Sequence, residues 1–304
     1  MSWDCPHQIN HGERCNRRQD VCIPASQGCV LHGKVQVIGN IDDEEEEIMN
    51  IKSETHNNSI QPEMTLGEVV VLYPQLRERL EQLGLDYCCG GKRSLAEAVQ
   101  AVGLDLKKIV AKLEHSLAAQ SSAESLIDWA AQPLTILANH ILETHHVFTK
   151  TQLTRIDALL TKVANTHLAR HGRMLNALRN AFDPLKAELE SHLPKEEQIL
   201  FPSIKAIDAF MTGQGVRPVV HCGSVAYPIQ QMEHEHDSAG DALVQMREIT
   251  DGYRLPDDAC QTFKALYEAI AALEDDLHQH IHLENNILFP ASIRQEEAMG
   301  TLTI

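Results

Sequence analysis

Two short stretches of this chain carry the same chemistry. HLPKEEQILFP at residues 192–202 and HIHLENNILFP at residues 280–290 each set a glutamate four positions after a histidine and close on Ile-Leu-Phe-Pro. On a helix, positions i and i+4 lie one above the other on one face, so His192 with Glu196, and His280 with Glu284, each project two metal-ligating side chains together. One such pair is ordinarily a hydrogen-bonded surface pair; a near-identical second copy points to two halves of one buried metal site. A different constellation is thiol-based. Adjacent Cys88 and Cys89 in DYCCGGKRS are followed by two glycines and then by Lys92 and Arg93, just before a helix start. Cations and a helix N-terminus both favour thiolate, which predicts a reactive cysteine here; the competing reading is a buried turn in which small residues fit. Cys5, Cys15, Cys22 and Cys29 form a third group. Four thiolates suit a zinc ion or a small iron–sulfur cluster, although their spacings contain no CxxC, and the competing reading is a loosely ordered, thiol-rich extension.

Composition limits what these groups can serve. The formal charge of −17 makes the chain repel nucleic acid and anionic membrane, so neither is expected as a partner. No apolar run is long enough to span a bilayer, and MSWDCPHQIN has neither a charged n-region nor an apolar h-region, so a cytoplasmic location is expected. In that compartment eight cysteines argue for metal or redox chemistry over a disulfide framework.

The elements that must position these residues read as all-α. Residues 1–40 are Cys-rich and too poor in large apolar residues to fold without a staple such as a metal. Residues 41–62, with IDDEEEE, read as an acidic linker. Residues 63–120 form a small helical domain. Its first helix has Thr65 as N-cap and Gly84 as stop, and a later one is capped by Asp105. Residues 121–304 hold four long amphipathic segments. The first runs from Pro133 past His146 towards Asn165, the second from about His167 to Pro202, the third from Pro228 to about Asp251 and the fourth from Pro256 to Pro290. Short connections make these an antiparallel four-helix bundle built as two hairpins.

Helical phasing sorts the histidines. His192 shares its face with Leu185, Leu189 and Ile199, His280 with Leu273, Leu277 and Ile287, and His236 with Met232, Ala239 and Leu243, so all three point inward. His278 and His282 line up with acidic and amide residues and are expected in solvent. His167 and His171 are given a surface or helix-start role. His145 and His146 both align with apolar residues, and periodicity does not choose between them. Four imidazoles and two glutamates in one bundle suit a pair of metal ions, bridged by the carboxylates and capped by the histidines, with iron favoured over zinc or manganese.

Taken together, DYCCGGK, EEQILFP, EHDxAG and HxxLENNxLFP occur in an order that resembles the repair of iron centres family, the di-iron iron–sulfur cluster repair proteins of the ScdA/YtfE type. The resemblance covers roughly residues 63–295. It implies a hemerythrin-like four-helix bundle preceded by a ScdA-type N-terminal domain, and it selects His146 over His145. The implied metal set is then His146, His192, Glu196, His236, His280 and Glu284, holding two non-haem irons with an oxo bridge. Implied too are cytoplasmic members, a homodimer, nitric oxide or oxygen as small ligand, and repair of clusters damaged by nitrosative or oxidative stress. Repair would proceed by donating iron or by handling nitric oxide, an activity that leaves open whether the protein is an enzyme, with Cys88 and Cys89 in a thiol role. The rivals are a hemerythrin-like oxygen or nitric oxide sensor, an iron-storage protein and a di-iron enzyme such as a nitric oxide reductase; the paired thiols discriminate, because a pure gas binder has no need of them. Pro194, between His192 and Glu196, removes a backbone hydrogen bond and is expected to kink its helix. Residues 1–62 fall outside the resemblance.

Overall fold

A computed structural model describes residues 8–9, 14–15, 20–21, 60–119, 127–220 and 223–301. In the first of its two compact units, Met1–Ser59, three short strands are described, β1 (Gln8–Ile9), β2 (Arg14–Cys15) and β3 (Asp20–Val21), paired antiparallel in sequence order. Of the four N-terminal cysteines only the backbone of Cys15 is among these, so the metal reading of Cys5, Cys15, Cys22 and Cys29 lies outside the described residues, as does the acidic spacer up to residue 59.

The second unit, Ile60–Ile304, is helical among its described residues. It opens with α1 (Leu66–Leu72), a 3₁₀ turn (Pro74–Leu76) and α2 (Arg77–Gln82). The periodicity reads these as one helix; Pro74 splits them, because a proline lacks the N–H that an α-helix interior requires. Thr65 and Glu68 form a capping box at the start, and Gly84 ends the segment with φ +69°. The helices α3 (Leu95–Ala101) and α4 (Leu106–Ala119) complete this part, with Ser94 and Asp105 bonding the N–H groups of Glu97 and Lys108. Leu66, Val70, Leu80, Leu95, Val99 and Leu113 form its core, and Ile281 from the bundle packs into it.

The bundle follows as α5 (Leu134–His140), α6 (Val147–Lys195), α7 (Phe201–Met211), α8 (Ala226–Ile249), α9 (Gln261–Leu283) and α10 (Phe289–Thr301). Straight, the 49 residues of α6 would span roughly 70 Å. Yet Asp157 bonds both Arg179 and Lys186, and His146 meets Glu197, so the chain reverses near residues 167–172 while staying helical. That reversal gives the first hairpin; α8 and α9 give the second.

Three wide turns of π-helix interrupt the bundle helices, at Ile141–His146, Glu196–Leu200 and Glu284–Leu288. The last two lie just ahead of Pro202 and Pro290. A proline cannot donate to the carbonyl four residues back and its ring crowds that carbonyl. The chain answers by widening one turn, and the N–H groups of Phe201 and Phe289 bond the carbonyls of Glu196 and Glu284, five residues back. The extra residue rotates the phase downstream: Ile199, assigned inward by simple periodicity, is 46% exposed, whereas Leu200 is buried. The prolines also do not end the helices, as the sequence suggests, because each occupies the first turn of the next one, where the missing N–H costs no bond. The helix likewise runs through Pro194 to Lys195 before it widens.

The loop after α2 is fixed on the second repeat. Asn286 donates to the carbonyl of Tyr87 at 3.0 Å, and Gly67 and Gly91 pack against its side chain. A Cβ at residue 91 would lie 2.5 Å from Asn286 Oδ1 and 2.6 Å from the Tyr87 carbonyl oxygen. Gly91→Ala is therefore expected to destabilise the protein by about 1–3 kcal/mol in denaturant unfolding, and an unchanged midpoint would contradict this docking.

Candidate metal centre

The bundle core is divided. Leu153, Leu160, Phe182, Leu243, Leu266 and Leu273 belong to one apolar cluster, and Leu137, Phe201, Ile204, Met232, Leu288 and Phe289 to another. Between the two lies a polar layer. His146, His192, Glu196, His236, His280 and Glu284 are all buried there, both glutamates with no exposed surface. Their ligand-type atoms converge in two groups that share both carboxylates: His146, Glu196, His280 and Glu284 in one, and His192, Glu196, His236 and Glu284 in the other, each within 4.8 Å. The structure thus brings together all six residues singled out by the repeat, the phasing and the resemblance. The wide turns at Glu196 and Glu284 begin at the two shared carboxylates.

The outer nitrogens of the imidazoles fix which atoms face inward. His146 Nδ1 donates to Glu197 at 2.9 Å, His192 Nδ1 to Glu235 at 2.8 Å and His236 Nδ1 to Asn285 Oδ1 at 2.9 Å, since a carboxylate or amide oxygen can only accept. Lys150 and Lys195 in turn hold Glu197 and Glu235. With Nδ1 protonated, a neutral ring presents a bare Nε2 to the centre. His192 Nε2 and His236 Nε2 stand 3.2 Å apart, so in the metal-free protein a proton on one of them joins the two rings. Both oxygens of Glu196, one of Glu284 and Nε2 of His146 have no hydrogen-bond partner among the described residues. Such an arrangement is unfavourable unless positive charge sits among the atoms.

Titration behaviour agrees. Glu196 and Glu284 keep their carboxyls below the ordinary range although burial raises them, because facing imidazoles outweigh it. Burial lowers His192, but Glu196 and then Glu284 reverse this and lift it to about 9. In the metal-free protein, protons therefore supply the positive charge. Metal binding displaces them and strengthens as pH rises towards that value. The donor set fits two cations, since imidazole and carboxylate suit divalent transition metals and two shared carboxylates can bridge. Its donors number fewer than two octahedral ions take up, which leaves positions for small ligands.

The repeat relates the two hairpins, and Glu197 and Asn285 occupy the same place after the shared glutamates, each bonding the first histidine of its hairpin. Asn285 also donates to the Cys88 carbonyl at 3.2 Å, which ties the metal layer to the thiols. Symmetry fails at one ligand. Where His192 meets Glu235, His280 meets His145, stacked at 5.6 Å, and its Nδ1 has no partner among the described residues. His145 instead bonds Asp276 at 3.0 Å.

Cys88 is buried and Cys89 partly buried, and both are free thiols. The hydrogen bond of Cys88 with Cys89, then burial and the charges of Cys89 and Asp86, push the Cys88 thiol well above the usual range. Lys92 turns away to pair with Glu233 at 2.8 Å. Cys89 Sγ instead reaches the backbone carbonyl of His236 at 3.4 Å, and Gly240 leaves room for it. His282, expected in solvent, is buried, and burial followed by the charge of Arg77 brings it down to about 3. It bonds Asn286 and meets the ring of Tyr87, because the docked loop covers it. His278 is half-buried beside Glu81 for the same reason. Glu197, Glu235, Asn285 and Asn286 escape sequence reasoning; the signal is that the first three each adjoin a singled-out histidine or glutamate and Asn286 follows Asn285.

Residues 137–292 match the hemerythrin HHE cation binding domain, and residues 62–117 match the ScdA_N domain of unknown function. An iron-sulfur cluster repair protein YtfE of Pectobacterium atrosepticum is 36% identical over 238 residues, covering 77% of this chain and 98% of that protein. Its Escherichia coli namesake is 39% identical over 232 residues, covering 76% and 97%. The chain belongs to the YtfE family of iron-sulfur cluster repair proteins. Both parts of the second unit fall inside the match to the YtfE family, whereas the first unit falls outside its two domains.

A cation pair held as described requires both shared carboxylates. Glu284→Ala is expected to leave at most one metal ion per chain by elemental analysis, in a protein that remains helical by circular dichroism, and two retained ions would contradict the bridging geometry.

Proposed function

We propose that this chain restores iron–sulfur clusters damaged by nitrosative or oxidative stress, as a non-haem di-iron protein. In this reading His146 and His280 hold one iron, His192 and His236 the other, and Glu196 and Glu284 bridge them. The family relatives are named for cluster repair, and the imidazole and carboxylate donors suit iron. The bound pair supplies exchangeable and redox-active iron with open positions for an oxygen bridge and for nitric oxide or oxygen.

The observation that carries the reading is the seat of the dicysteine turn on the metal layer. Asn285 joins the Cys88 carbonyl to His236 Nδ1, and Cys89 lies against the His236 backbone. A cavity of about 520 Å³ opens on the same side, lined by Cys88, Cys89, Asp86, Asp237 and Asp241. Soft thiols and carboxylates in a cavity beside the metal layer suit passage of an iron ion to a damaged client protein. The weakly supported His280 marks the His146/His280 position as the more labile, because outer hydrogen bonds strengthen a histidine ligand. A pure gas sensor has no use for the thiols. The cytoplasm fits free cysteines, and no helix among the described residues is long and apolar enough to cross a membrane. A homodimer belongs to the same reading.

Cys88→Ser/Cys89→Ser is expected to abolish reactivation of a nitric oxide-treated iron–sulfur enzyme while two irons per chain remain. Unchanged reactivation would remove the thiols from the mechanism.

A further inference from the structure

At the far end of the bundle a second cluster has no part in the reading above. His167 and His171 stand on successive turns where α6 reverses, and Asp258 and Cys260 lie just before α9. From His146 to His167 is about 30 Å along the helix. One ligand-type atom each from His167, His171 and Asp258 lie within 4.8 Å of one another. Cys260 Sγ is 3.3 Å from His167 Nε2, and His171 Nε2 is 2.8 Å from Asp258 Oδ1.

We propose that His167, His171, Asp258 and Cys260 form a separate site for one divalent transition-metal ion of the zinc class. Ligand bonds of about 2.0–2.3 Å place tetrahedral donors roughly 3.3–3.8 Å apart; His167, His171 and Asp258 already converge to within 4.8 Å, and Cys260, in contact with His167, joins them as fourth donor by a turn of its exposed side chain. Two imidazoles, a thiolate and a carboxylate are all zinc donors, and the two anions balance a divalent charge. The thiol stands at the N-cap of α9, and a helix N-terminus favours the thiolate that a metal ion takes. The imidazoles are held in place by the buried ring of Phe263, edge-on to His167 at 5.3 Å and to His171 at 5.8 Å. Arg170 takes Asp258 Oδ2 at 2.9 Å, which leaves Oδ1 facing the histidines. Cys260 and Asp258 are exposed and the histidines only half-buried, so an ion reaches the site from solvent. Bound there, it would clasp the reversal of the first hairpin to the start of α9.

The test is Zn²⁺ binding by the full chain in competition with a chromophoric chelator. Wild type is expected to bind one equivalent more than His167→Ala/His171→Ala, while the metal content of the inner His/Glu layer is equal in both. Asp258→Asn, which preserves shape, serves if the double variant fails to fold. It and Cys260→Ala should each weaken this equivalent by at least the roughly 10–100-fold that losing an outer-shell partner costs. With Co²⁺, Cys260→Ala should also remove part of the thiolate-to-metal absorption of the wild type. Equal zinc equivalents in wild type and the folded variants, or cobalt spectra unaltered by Cys260→Ala, would overturn the site.

Discussion

Two carboxylates without exposed surface face four buried imidazoles in the middle of the bundle, and the rest of the second unit follows from making that tolerable. An unpaired buried ion costs several kcal/mol even after relaxation, and removing one partner of a buried set strands the others. Three of the four rings are therefore oriented by an outer acceptor, two of those acceptors are held by lysines, and apolar clusters close the layer on either side. Positive charge at the centre, protons in the metal-free protein and metal in the loaded one, completes the balance.

The prolines connect sequence to geometry. Pro202 and Pro290 each lie six residues after a shared glutamate and close a widened turn that begins at that glutamate, so the repeated Ile-Leu-Phe-Pro is a backbone device as well as an apolar run. Widened turns of this kind commonly mark functional sites in helices. The same turn in the second hairpin presents Asn285 and Asn286 to the dicysteine loop, where the first hairpin presents Glu197 and Gln198. One repeat thus binds the thiol-bearing domain and the other a lysine. The difference between EEQ and ENN, together with His145 in the place of Glu235, makes the two hairpins asymmetric.

Much of this was legible in the chain. The repeat names His192, Glu196, His280 and Glu284, phasing adds His236, and family resemblance settles His146. The rest depends on neighbours that are distant in sequence. His282 looks solvated from its own helix face and is buried only because the loop of Tyr87 covers it. Cys88 looks activated by Lys92 and Arg93, but Lys92 is drawn to Glu233 and the thiol is left against Cys89 and Asp86. Ile199 appears inward until an extra residue in the turn shifts its phase. Glu235 lies on a different helix from the His192 it supports, so no local pattern in the sequence joins them.

The buried layer is proposed to hold two irons bridged by Glu196 and Glu284. Mössbauer spectroscopy with iron quantification on the full chain tests it most directly. Two irons per chain giving the signature of a spin-coupled non-haem pair is the predicted result. One uncoupled iron per chain, or a layer that takes up no iron when it is supplied, would contradict it.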